Sequence, residues 1–110
     1  MDYVPERGDV VWLNFNPQSS HEQAGRRPAV VLSLRAYNQK VGLAIFCPVT
    51  NQQKGYPFEV AIPAGLEATG VILSDQIKSF DWRVRQAEYL ATLPGPVLEE
   101  IMQKLKTLIY

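Results

Sequence analysis

Little in this chain is available for covalent or metal chemistry. Cysteine and histidine occur once each, as Cys47 and His21. A single cysteine excludes an internal disulfide. With only one histidine beside it, a zinc site within one chain is not expected. Cys47 ends the apolar run Leu43-Ala44-Ile45-Phe46-Cys47, where a buried, inert thiol is expected. Charge of one sign is lacking too, with 11 basic and 11 acidic side chains. A general nucleic-acid coat would be clearly basic, so any contact with nucleic acid must come from a local patch. No Walker loop, G-x-S-x-G elbow, HExxH or CxxC occurs, which removes the commonest nucleotide hydrolase, serine hydrolase and zinc readings. Long apolar runs are missing as well. None suits a signal peptide or a membrane span, so the cytoplasm is the expected location.

What is present suits one domain over residues 1–110. Hydrophobic residues make up 46% of the 110 positions, enough for one core and too few for two, so a large groove would call on a second subunit. Apolar patterning predicts strands over Val10–Phe15, Pro28–Leu32, Gly42–Val49, Phe58–Ile62, Gly70–Leu73, Gln76–Phe80 and Val84–Thr92, with a short helix over Ser33–Gln39. The first strand sets Trp12 against Val11, Leu13 and Phe15, so both faces are expected to be covered and Trp12 to pack. A long polar loop is expected from Asn16 to Arg26. Val97, Leu98, Ile101, Met102, Leu105, Leu108 and Ile109 recur at helical spacing. Gly95 serves as a cap and Pro96 as a first helical residue. Short strands and one terminal helix point to a small, strongly bent sheet or barrel.

The stretch His21-Glu22-Gln23-Ala24-Gly25-Arg26-Arg27-Pro28 sets an imidazole, a carboxylate and two guanidiniums just before the apolar run Ala29–Leu32. Loops hung on strands are where binding and catalytic groups concentrate. Together with Gly8-Asp9-Val10-Val11-Trp12, Tyr37-Asn38, Pro48-Val49-Thr50, Lys54-Gly55-Tyr56-Pro57-Phe58-Glu59-Val60 and Asp75-Gln76-Ile77-Lys78-Ser79, this ordered set resembles the MazF/PemK family of toxin ribonucleases. The Lys54–Val60 block points to the MazF branch. The resemblance implies a mainly β fold with a C-terminal helix, an SH3-like small barrel that pairs as a homodimer. It further implies cleavage of single-stranded RNA at short sequences without metal or other cofactor, leaving a 2′,3′-cyclic phosphate and a 5′-hydroxyl. The implied partner is an antitoxin with an acidic, flexible tail.

Such cleavage needs a group to take the ribose 2′ proton, one to steady the added negative charge, and one to protonate the leaving oxygen. Arg27 matches the family's catalytic arginine, and its planar fork fits two phosphate oxygens. A guanidinium with a pKa above about 12 is a poor base, so charge stabilisation is its expected role. Thr50 matches the family's threonine, although a strand-end threonine also suits a turn that bonds its own backbone. Glu22 matches the acidic loop residue. Because a close Arg27 would weaken it as a base, orientation and RNA contact are expected of it. His21 occurs in the PemK branch and either carries a proton or makes a local contact. Asp75 matches an acidic residue assigned to catalysis in the PemK branch. That branch has an arginine where this chain has Leu73, and Asp75 is here expected to shape the turn into Gln76.

The expected RNA-binding set is Phe15, Gln23, Arg26, Lys54, Tyr56, Gln76 and Lys78. Arg83 and Arg85 could extend the basic path, and Phe80 and Trp82 could stack on bases, though packing would also account for them. Two rival readings stand beside the ribonuclease. One is a non-enzymatic gyrase poison of the CcdB type, which would need a tryptophan near the C-terminus, where this chain ends Leu108-Ile109-Tyr110. The other is an SH3-like binding module without chemistry.

Overall fold

The computed structural model describes residues 2–15 and 25–110. Among the described residues the strands are β1 (Asp9–Asn14), β2 (Arg26–Val31), β3 (Leu43–Thr50), β4 (Glu59–Ala61), β5 (Val71–Leu73), β6 (Lys78–Asp81) and β7 (Glu88–Thr92). The helices described are α1 (Arg35–Val41) and α2 (Gly95–Ile109). The strands run β4-β5-β3-β2-β1-β7, with β6 also on β3, and every pair is antiparallel.

β3 is the spine. Its first half pairs with β6 from Leu43↔Asp81 to Phe46↔Lys78. Its middle pairs with β2 through Val31↔Phe46 and Ala29↔Pro48, and its end with β5 through Thr50↔Val71. One strand thus carries the sheet around a bend and delivers Thr50 at the far side.

Successive residues of a strand face opposite ways, and both ways are buried. Val10, Val30, Cys47 and Ile72 pack with Ile101 and Leu105 of α2. Val11, Leu13, Val31 and Phe46 pack with Trp82. The expected single core is therefore two clusters, one on each face of the sheet. Burial pushes the Cys47 thiol up to about 12, the inert state expected of it. Hydrogen-bonded to Trp82 of the second cluster, Asn38 is fully buried. Its side chain donates to the carbonyls of Pro5 and Ser33, and its own carbonyl accepts from the Trp82 indole at 2.9 Å. Trp82 is thus a core residue and not a platform for a base.

Several boundaries differ from the sequence reading. β2 begins at Arg26, because Arg26 and Arg27 pair with Asn14 and Leu13. The last strand begins at Glu88, not Val84. The Asp81 carboxylate accepts the N–H groups of Arg83 and Val84, and this turn chemistry holds the chain out of the sheet. Trp12 is 37% exposed and belongs to neither cluster. It shares the face of Val10, which the α2 cluster reaches only at Val10. Pro94, not Gly95, occupies the N-cap position of α2. Leu108 and Ile109, expected on its buried stripe, are exposed.

Candidate active site

Two cavities meet on the surface where β3 ends. The smaller, about 310 Å³, is lined by Phe15, Arg27, Phe46, Pro48, Val49, Thr50, Leu73, Gln76, Lys78 and Phe80. The larger, about 470 Å³, is lined by Thr50, Gln52, Lys54, Tyr56, Glu59, Leu73 and Gln76. Thr50, Leu73 and Gln76 belong to both, so the two form one continuous groove. The groove brings together Arg27, Thr50, Phe15, Lys54, Tyr56, Gln76 and Lys78 from the expected set. Glu22, His21 and Gln23 lie outside the described residues.

Adjacent arginines part company here. Arg27 is exposed and turns to the smaller cavity. Arg26 faces the other way, as strand alternation requires. Its guanidinium donates to Asn14 Oδ1 at 2.9 Å, to the Gln86 carbonyl at 3.1 Å and to Glu88 Oε1 at 2.8 Å. Arg26 therefore braces β1 against the turn before β7 and, alone of the described residues in the expected RNA-binding set, does not line the groove. Arg85 is likewise occupied, donating to the carbonyls of Asn14 and Phe15 with its guanidinium carbon 4.0 Å from the centre of the Phe80 ring. Arg83 lies over Trp82 at 4.5 Å. Neither lines the groove. Phe15 and Phe80 do, their rings edge to face at 5.5 Å.

Thr50 makes the expected local turn and also lines the groove. Its hydroxyl oxygen accepts the Gln52 N–H at 3.1 Å, a local turn, while the residue lines both cavities. Its placement depends on Gly70, whose φ is +112°. A Cβ at Gly70 would fall against the Thr50 carbonyl oxygen and 2.9 Å from Asn51 Oδ1. Gly70→Ala is expected to destabilise the protein by about 2–3 kcal/mol, from backbone strain and overlap together. Urea unfolding measures it, and a loss under about 0.5 kcal/mol would show that the close approach relaxes freely.

Asp75 does more than form a turn into Gln76. Its Oδ2 accepts the Tyr56 hydroxyl at 2.5 Å, tying the wall of the larger cavity to the β5–β6 connection. That hydrogen bond raises the Tyr56 pKa, keeping the phenol protonated. Sequence reasoning missed Glu59 as a lining residue. Glu59 sits inside a matched block, but nothing in its spacing distinguishes a groove carboxylate from a solvated strand residue. Leu73, noted only as a departure from the PemK branch, lies at the junction of the cavities. Among the described residues no three His, Cys, Asp or Glu side chains converge as a metal site.

A family model described as PemK-like, MazF-like toxin of type II toxin-antitoxin system matches residues 6–109. The chain is 49% identical over 107 residues to the endoribonuclease toxin MazF of Escherichia coli K12, covering 97% of this chain and 96% of the relative. It superposes on a crystal structure of MazF from Deinococcus radiodurans with a TM-score of 0.89 and 57% identity, covering 98% of each chain. A MazE-MazF crystal structure from the same organism gives 0.88 and 53%, covering 98% of this chain and 97% of that one. With a small, bent, mainly β sheet and a closing helix to match, the chain belongs to the PemK-like, MazF-like toxin family of type II toxin–antitoxin systems.

Proposed function

We propose that this protein is an endoribonuclease toxin that cuts single-stranded RNA in the groove between Arg27 and Tyr56, using the RNA's own 2′-hydroxyl as nucleophile. The observation that carries the reading is the shared cavity. It offers an exposed guanidinium, a strand-end hydroxyl and Lys78 beside two aromatic rings, a set suited to one phosphate and an unpaired base. The relatives are named as endoribonucleases, which favours the enzyme over the gyrase poison and the inert module.

In the proposed step the ribose 2′-oxygen forms a bond to the neighbouring phosphorus and the bond from phosphorus to the 5′-oxygen breaks. The 2′ proton leaves to a base, and a proton reaches the departing oxygen. Arg27 steadies the charge gathering on the non-bridging oxygens, and Thr50 adds a hydroxyl donor. Glu22 orients Arg27. His21, as the chain's one imidazole, is the candidate for the proton transfers. No metal is required by this scheme.

The natural inhibitor is an antitoxin, as the MazE-MazF structures of relatives support. Its acidic tail would lie over Lys54 and Lys78 and lose its disorder on binding. The active form is read as a homodimer acting in the cytoplasm. No described helix is long and apolar enough to cross a membrane.

The test is incubation of the pure protein with a long transcript in EDTA. Cuts at discrete sites with 5′-hydroxyl ends are expected. Intact RNA, or cutting that EDTA abolishes, would overturn the scheme.

A further inference from the structure

The wall of the larger cavity is built from a segment with almost no regular structure. Between β3 and β4 the chain runs from Asn51 to Phe58 without a strand or helix, yet Gln52, Lys54 and Tyr56 from it all face one cavity. Backbone N–H groups outside a ladder need other acceptors, and here one side chain supplies two of them. Glu59 Oε2 accepts the Lys54 N–H at 3.0 Å and Glu59 Oε1 the Gly55 N–H at 3.1 Å. The Glu59 N–H in turn donates to the Tyr56 carbonyl at 3.0 Å. Glu59 is itself fixed, since β4 pairs it with Leu73 of β5. Gly55 at φ +76° allows the sharp fold over the carboxylate. Two further ties hold the same wall. The Tyr56 hydroxyl reaches Asp75, and Lys104 of α2 donates to the carbonyl of Pro57 at 2.6 Å.

We infer that Glu59 is a positioning residue for base selection: its carboxylate folds the 52–56 segment into a fixed wall, and the wall reads a nucleobase beside the cut, with Asp75 as a second tether. The inference rests on the groove being the RNA site. Its chemical logic is that of preorganisation, because a loop held before binding loses less freedom when a base docks. An ionised carboxylate suits the task, having two acceptor oxygens and no donor. Glutamine offers one acceptor, and its amide group would confront the second backbone N–H. The cavity lies next to Arg27 only through Thr50, Leu73 and Gln76, so loosening it should weaken recognition more than chemistry.

The experiment compares wild type, Glu59→Gln and Tyr56→Phe on oligoribonucleotides that carry the mapped cut site or one base change beside it, with Arg27→Lys as a parallel control. For Glu59→Gln, KM on the mapped site is expected to rise about tenfold with kcat within about threefold. Discrimination against at least one flanking base should fall about tenfold. Tyr56→Phe, which keeps the ring and loses the tether, should show a smaller loss of the same selectivity. Unchanged discrimination in both variants overturns the inference. So does a fall in kcat with selectivity intact, which would mark Glu59 as part of the chemistry. If Glu59→Gln fails to fold, the Tyr56→Phe selectivity alone decides. Failure of the groove reading looks different: Arg27→Lys would then cut at the wild-type rate.

Discussion

Replacing Arg27 with lysine will cut the rate of RNA cleavage by about 10²–10³-fold while leaving binding nearly unchanged, the loss typical of removing one donor to a developing oxyanion. Lysine keeps the positive charge and so the long-range attraction to phosphate. It cannot keep the fork, because an ammonium presents a point charge where guanidinium presents two parallel donors. The strand supports this separation of roles. Arg27 pairs in register with Leu13, whose side chain is fully buried, so the backbone beneath the guanidinium is fixed by the core and should tolerate the exchange. Single-turnover cleavage with excess enzyme measures the chemical step, and filter binding measures affinity. Near-normal turnover would show that charge alone suffices and that the fork has no part in the reaction.

A substrate with deoxyribose on the 5′ side of the cut will bind and will not be cleaved. Under the proposed scheme that sugar holds the nucleophile, so its removal takes away a reactant and not merely a contact. The loss should therefore exceed that of any single side-chain change, bringing cleavage down to the level without enzyme. Binding should stay within about threefold, because phosphates and stacked bases carry most of the affinity for single strands. DNA should be spared for the same reason. Competition against the all-ribose oligomer tests both halves. Cutting of the deoxy substrate would show that water or a protein group attacks in place of the sugar.

The strands with the longest apolar runs were the easiest to read. Val10 to Phe15 and Gly42 to Val49 announce themselves as apolar runs between polar breaks, and the structure keeps them with shifts of a residue. Boundaries set by long-range partners were not legible. Arg26 and Arg27 look like loop residues until Asn14 and Leu13 lie opposite them. Val84 looks like strand until the Asp81 carboxylate claims its N–H. The site followed the same division. Arg27, Thr50, Lys54, Tyr56, Gln76 and Lys78 stand in matched segments and do meet in one groove. Arg26 did not, because a charge pattern records that an arginine is present and strand parity decides where it points. Glu59 escaped notice for a related reason. A carboxylate that bonds two main-chain amides leaves no periodic mark in the chain.

β3 touches β6, β2 and β5 in turn along eight residues before ending at Thr50. A slip of one residue along it would exchange its two faces, turning Phe46 toward the α2 cluster, Cys47 toward the Trp82 cluster and Thr50 away from the groove. One strand therefore serves both core and groove, so any substitution that shifts β3 in the core also shifts Thr50 at its end.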